Sequence, residues 1–206
     1  QGLVATVRER VQGSYDLFVD GPASSLNFVT AHDGLTMHDV TTVTSDRHHA
    51  WDTGDEKRLQ QLQNYFAMLL LSAGTPMWVM GDEFARTQQG DDNPYNIDSP
   101  VTWVDWGRAE EWRELTEFVR ALVDLRRQHP PGDFRFFGSD GEVDESHSMA
   151  WCSNGLYVMV NAWWLPITFT VQEPGEWSVA LSTAPATVDD DTIVVAARSI
   201  VILTRH

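Results

Sequence analysis

Two short apolar runs, residues 26–30 and 76–80, stand on either side of one long amphipathic stretch, and each run stops abruptly at polar residues. The first is rich in strand formers and gives way to His32, Asp33 and Gly34; the second gives way to Gly81, Asp82 and Glu83. Each reads as a short, buried β-strand. Between them, residues 56–73 set Leu59, Leu62, Phe66, Leu69 and Leu70 on one helical face, with Lys57, Gln60, Gln61 and Asn64 mostly opposite. Gly74 ends that helix. Strand, helix, strand with about forty residues from strand to strand is a βαβ unit, which implies parallel strands and a right-handed crossover. Such units build either a closed β/α barrel or a doubly wound sheet. A strand that runs out into an imidazole beside a carboxylate is how a barrel presents groups to a substrate, because its active site lies at the carboxyl ends of the strands. His-Asp before Gly is also ordinary cap and turn chemistry, so the pair does not decide the matter alone.

The remainder of the chain reads in order around that unit. Residues 3–11 carry helical spacing at Leu3, Val4, Val7 and Val11, with Gly13 as the stop. A loop follows, turning at Asp20-Gly21-Pro22. Residues 35–43 are expected to form a short helix, and residues 44–54 a loop exposing His48, His49, Trp51 and Asp52. Adjacent histidines without a nearby cysteine or third histidine are an incomplete ligand set, so no metal is expected there. Residues 86–106 form a long polar loop, which is either functional or a surface excursion packed by its own aromatics. A second amphipathic helix over 110–128 carries Trp112, Leu115, Val119 and Leu122 on one stripe, and Pro130-Pro131 stops it. From Asp133 the texture changes to short strand-like segments at 134–137, 148–152, 156–163, 167–171, 177–181, 192–196 and 199–204, most of them separated by turn residues. That is an antiparallel sandwich or small barrel, with a domain boundary placed between residues 130 and 131.

Charge narrows the partners. The net charge is −16, too acidic for a surface that tracks phosphates, which argues against nucleic acid and anionic membranes and suits a neutral ligand such as a sugar. Nine tryptophans serve equally well as core residues or as flat faces for sugar rings, and composition does not separate the two uses. The single cysteine, Cys152, forbids an internal disulfide and reads as a buried, inert thiol. No apolar run reaches the length of a membrane span, and residues 1–12 lack a signal-peptide core, an absence that says nothing if the true N-terminus lies upstream; a cytoplasmic setting is the expectation. A start at Gln1 reads as a piece of a longer polypeptide, unless a leader or tag was removed. The Asp189-Asp190-Asp191 cluster is expected to be a solvated turn, lacking any EF-hand pattern.

The run Phe28-Val29-Thr30-Ala31-His32-Asp33-Gly34 resembles the fourth conserved region of the α-amylase superfamily, glycoside hydrolase family 13. Gly74-Thr75-Pro76-Met77-Trp78-Val79-Met80-Gly81-Asp82-Glu83-Phe84, followed by Arg86-Thr87-Gln88-Gln89-Gly90 and Asn93, resembles its isoamylase and glycogen debranching branch. Ser14-Tyr15-Asp16-Leu17-Phe18, Arg126-Arg127-Gln128-His129-Pro130 and Val158-Met159-Val160-Asn161-Ala162-Trp163 are similar to the same enzymes, so the resemblance covers nearly the whole chain.

That resemblance implies the C-terminal part of a (β/α)8 TIM barrel, its last two βα units, in residues 1–130, followed by an antiparallel β-sandwich domain in residues 131–206. It implies a retaining α-glucan hydrolase acting on glycogen or maltodextrin without a cofactor. Asp33 matches the carboxylate that grips the reacting sugar and stabilises the transition state, and His32 matches the imidazole bound to the same sugar. Asn93 and Tyr95 are assigned to substrate binding on the same basis. Asp82 and Glu83 follow the last strand and are expected to brace the barrel mouth rather than to act as the nucleophile and acid. No stretch matches the motifs of those two groups, so the chain alone is expected to be inactive and to pair with the N-terminal remainder of its enzyme or with itself. The loop at residues 44–56 is shorter than in debranching relatives, which leaves α-1,4 linkages open beside α-1,6 branch points. A non-catalytic α-glucan-binding protein is the alternative.

Overall fold

The computed structural model describes residues 3–143 and 147–206. Contacts divide the chain into two compact units, one made of Gln1–Ser25, Leu71–Gly74 and Leu125–His206, the other of Leu26–Leu70 and Thr75–Asp124.

In the second unit the two apolar runs pair as foreseen in direction but not in length. Strands β1 (Leu26–Asn27) and β2 (Thr75–Pro76) are parallel, with Leu26 opposite Thr75 and Asn27 opposite Pro76. One further bond, Met77 N–H to the Asn27 carbonyl at 2.8 Å, ends the ladder. The expected five-residue buried strands are corrected on two counts. After Met77 the backbone turns: Val79 N–H donates to the Asp82 carboxylate at 3.2 Å instead of to a neighbouring strand. Leu26, Phe28 and Val29 are exposed, because no third strand pairs with this two-stranded sheet among the described residues.

The connecting helix α2 (Asp55–Leu71) forms as its periodicity requires. Leu62, Phe66, Ala67, Leu69 and Leu70 are buried, and the Phe66 ring meets Trp78 edge-on at 5.9 Å. Residues 35–43 do not make the expected helix; a single 3-10 turn spans Asp39–Thr41. Leu35 and Val40 bury against Ala50, Val43 and Tyr65, so the segment is fixed by side-chain burial rather than by helical bonds. His48 is also corrected, since its side chain is mostly buried and engaged with Asp92. The helix expected over 110–128 is broken into α3 (Arg108–Glu111) and α4 (Arg113–Gln128). Trp112 leaves helical geometry at the break, and its ring packs edge-on against His38 at 5.6 Å.

The first unit holds α1 (Leu3–Gln12), which stops at Gly13 as foreseen, and eight strands. Strands β3 (Arg135–Phe137), β4 (Ser148–Ser153), β5 (Leu156–Asn161), β10 (Ser199–Arg205) and β7 (Trp177–Ser182) form one antiparallel sheet in that order. Strands β6 (Ile167–Thr170), β9 (Thr192–Val195) and β8 (Thr187–Asp189) form another. Ala150, Tyr157, Met159, Val201 and Leu203 of the larger sheet share one core with Phe169, Ile193 and Val195 of the smaller, so the two sheets form a sandwich. Asn154 and Gly155, both at positive φ, make the two-residue turn between β4 and β5 that this dipeptide favours. Strand β8 was not foreseen; all three of its residues are exposed, so no alternation of burial announces it. Cys152 is buried, and burial pushes its thiol pKa up, as expected for an inert cysteine. No helix among the described residues is long and apolar enough to cross a membrane.

Candidate functional site

Beyond β1 the chain runs through Phe28–Ala31 to the His32-Asp33-Gly34 turn. His32 Nε2 lies 3.5 Å from Asp33 Oδ2, and the two side chains are 85% and 88% exposed. Gly34 has φ +90°, a conformation that a residue with a Cβ rarely adopts. What fixes the turn is Gln88, which is buried and donates from Nε2 to the Gly34 carbonyl at 3.2 Å and to the Asp91 carbonyl at 2.9 Å. One amide therefore ties the turn after β1 to the loop after β2.

Gln88 is itself held by Asp39. The Asp39 carboxylate, 1% exposed, accepts from Gln88 N–H at 2.7 Å, from Gly90 N–H at 3.3 Å and from the Thr87 hydroxyl, with His38 Nδ1 at 3.3 Å. Burial pushes its pKa up, but these hydrogen bonds, His38 and Thr87 foremost, outweigh burial and hold it below the usual carboxylate value. Asp39 and Gln88 were not singled out from sequence. An acid within the apolar residues Leu35, Met37 and Val40 is the signal that could have drawn attention to Asp39.

Asp82 and Glu83 point their carboxylates at backbone. Asp82 is fully buried; Oδ1 accepts Met37 N–H and Oδ2 accepts Val79 N–H, each at 3.2 Å. Burial pushes its pKa up to about 6, against the pull of those two donors and of Arg86. Glu83 Oε2 accepts Gly81 N–H at 2.9 Å. The turn they brace is itself tethered, with Thr116 Oγ1 donating to the Glu83 carbonyl at 3.0 Å and Arg108 Nε to the Ala85 carbonyl at 2.8 Å.

The remaining sequence-derived residues lie farther along the same loop. Asn93 is exposed and donates its backbone N–H to Asp91 Oδ1 at 2.8 Å. Tyr95, 94% exposed, sits on the 3-10 turn Pro94–Asn96. Among the described residues no hydrogen bond or ion pair joins Asn93 or Tyr95 to His32 or Asp33. The loop is nonetheless latched near the turn: Asp92 Oδ2 meets His48 Nε2 at 2.7 Å and Arg47 Nη1 at 3.1 Å. A Cβ placed on Gly34 would lie 3.8 Å from His48 Nδ1, so the latch borders the turn. The result is an open imidazole–carboxylate pair on a braced turn. Such a pair can donate to and accept from the hydroxyls of a neutral polyol. Among the described residues no cluster of three or more His, Cys, Asp or Glu is arranged to hold a metal.

No family model matches the chain. Curated relatives do. The chain is 33% identical over 198 residues to a glycogen operon protein GlgX homolog of Mycobacterium tuberculosis, covering 80% of this chain and 27% of the relative. It is 29% identical over 237 residues to the isoamylase of a Flavobacterium species, covering 87% of this chain and 31% of the relative. Among solved structures, a pullulanase from Anoxybacillus sp. LM18-11 complexed with maltotetraose superposes with a TM-score of 0.82 at 23% identity, covering 98% of this chain and 31% of that one. The chain thus spans about a third or less of each of these proteins.

Proposed function

Since this chain belongs to the isoamylase and glycogen debranching branch of glycoside hydrolase family 13, we propose that it supplies the sugar-gripping part of a retaining α-glucan hydrolase. In this reading β1 and β2 are the last two strands of a (β/α)8 barrel within residues 1–130, and residues 131–206 are the C-terminal β domain. The observation that carries it is the parallel β1–β2 pair, whose following loops meet through Gln88 at the His32-Asp33-Gly34 turn.

The chemistry follows from what glycoside cleavage demands. A retaining enzyme needs one carboxylate to attack the anomeric carbon and one acid to protonate the leaving oxygen, and its transition state resembles an oxocarbenium ion. Asp33 and His32 do neither. They bond sugar hydroxyls, and those bonds strengthen as the ring flattens. Only bonds stronger in the transition state than in the bound substrate accelerate the reaction. Asn93 and Tyr95 extend the contact along the glucan. Asp82 and Glu83 are excluded from the acid–base pair in this reading, since their carboxylates are engaged by backbone N–H groups. The nucleophile and acid come from elsewhere in the enzyme, and the bond favoured is the α-1,6 branch.

Kinetics test the assignment. In the complete enzyme Asp33→Asn is expected to lower kcat by about 10²-fold or more while KM changes little. A raised KM at unchanged kcat refutes it. The near-complete exposure of His32 and Asp33 favours one second reading, a glucan-binding chain without hydrolytic activity. Release of reducing ends from glycogen or pullulan by the complete protein, not by this chain alone, separates the two readings.

A further inference from the structure

The connection between β5 and β6 carries Trp163 and Trp164 side by side. The His147 ring stacks on Trp163 at 4.7 Å with 15° between planes, and Trp164 stacks on Trp163 at 3.8 Å with 26°. Three rings thus form one column. Trp164 remains 62% exposed. With Trp163 covering one of its faces, that exposure falls on the opposite face and edge.

Among the described residues the column lies outside the core the two sheets share, yet the loop that displays it is firmly fixed. Asn161, 1% exposed, donates from Nδ2 to the carbonyls of Leu165, Ala196 and Val195 at 2.8, 2.9 and 3.1 Å, and its Oδ1 accepts Trp163 N–H at 2.8 Å. Ala162 N–H reaches the His147 carbonyl at 2.8 Å, and Arg198 N–H reaches the Trp163 carbonyl at 2.9 Å. The platform is therefore organised before any ligand arrives, which removes much of the ordering cost of binding. Holding a large aromatic face in water is unfavourable unless something covers it.

We propose that the His147–Trp163–Trp164 column is a binding platform for a linear α-glucan, additional to the His32–Asp33 site. The proposal rests on the α-glucan reading above. A pyranose ring presents a flat face of C–H groups that matches an indole face in size and polarity, while its hydroxyl edges stay hydrated. An anionic ligand is disfavoured by the chain's net charge of −16. An apolar peptide segment would need a groove with pockets rather than a flat face. Leu165, next in the chain, is also exposed, at 57%.

The test titrates maltoheptaose into the 206-residue chain and follows its nine tryptophan indole N–H signals by NMR. Saturable shifts at Trp164 and Trp163 are expected. Trp164→Ala should weaken binding about tenfold, and Trp164→Tyr should keep most of it because stacking survives. His32→Ala should leave the shifts in place. Signals that do not move, or affinity unchanged in Trp164→Ala, overturn the proposal. So does a Trp164→Ala chain that loses self-association while maltoheptaose moves nothing, for then the platform is a contact between copies. Loss of this platform alone leaves the kinetic effect of Asp33→Asn intact, whereas failure of the α-glucan reading removes both.

Discussion

Asp39 and Asp82 are both buried carboxylates in the unit that carries the candidate site, and their pKa values move in opposite directions from the ordinary one although burial pushes both up. Asp39 receives loop donors from Thr87, Gln88 and Gly90 as well as His38, and its pKa falls. Asp82 receives two backbone N–H groups, and its pKa rises to about 6. The difference is a count of donors: His38 and Val79 are local to their acids, but Met37, Thr87, Gln88 and Gly90 come from 45 to 51 residues away, so a local reading of either acid sees only part of it. His32 and Asp33 stood out because they end an apolar run; Gln88 was quoted only as one letter of a motif, and nothing local marks its amide as the tie between the two loops. Asp82 also sets a pH dependence. Its native pKa of about 6 lies above the ordinary 3.8, so between those values the folded state holds a proton that the unfolded state has released. Its stabilising contribution is full below about pH 4 and is lost as pH rises through about 6, a change of ~3 kcal/mol. Asp39 acts with the opposite sign, favouring the fold above about pH 4 and losing that contribution on further acidification. Urea unfolding between pH 4 and 7 should therefore show stability from Asp82 falling as pH rises, and Asp82→Asn should flatten that slope. An unchanged slope in the variant would refute the assignment.

Elements with a complete periodic pattern were read well from sequence, and elements whose ends depend on distant partners were not. Helix α2 and seven of the eight sandwich strands form where the sequence places them: α2 buries one face, while β4, β5 and most of β10 are buried on both faces and read as largely apolar runs. Strands β1 and β2 are shorter than their apolar runs, since the Asp82 carboxylate diverts the backbone after Met77. The helix break falls at Trp112, whose ring packs on His38, a contact between residues far apart in the chain. The loop at 86–92 is the element on which the candidate site depends most, and Asp39 is its anchor. Asp39→Ala leaves the Gln88 and Gly90 N–H groups without their acceptor, at a cost of about 2–3 kcal/mol. The loss should be concentrated in this loop rather than spread over the fold. Limited proteolysis should then cut within residues 86–96 several-fold faster in the variant, while the sandwich strands stay protected. Equal cutting rates would mean the loop is held by other contacts.

At the scale of the whole molecule the chain exposes what a complete sheet would cover. Strands β1 and β2 pair only with each other among the described residues, leaving an outer edge on each. Beside those edges Leu26 and Phe28 are each 53% exposed, and Met80 is 61% exposed. Strand edges beside exposed apolar side chains favour association with another chain. The sequence made this legible as soon as two parallel strands were counted, because two strands cannot close a barrel. The isolated chain should therefore associate with itself as its concentration rises, with an apparent mass by light scattering that grows across the micromolar range. Phe28→Lys should shift that curve to higher concentration, since a charge at an exposed edge position opposes pairing and costs the fold little. On the proposed function the same sample should release no reducing ends from pullulan at any concentration, because in that reading copying this chain multiplies His32 and Asp33 without adding a nucleophile or an acid. A constant monomer mass would show that the β1–β2 edges are already satisfied, and hydrolysis by the isolated chain would mean that some carboxylate within it, Asp82 and Glu83 included, does the work assigned elsewhere.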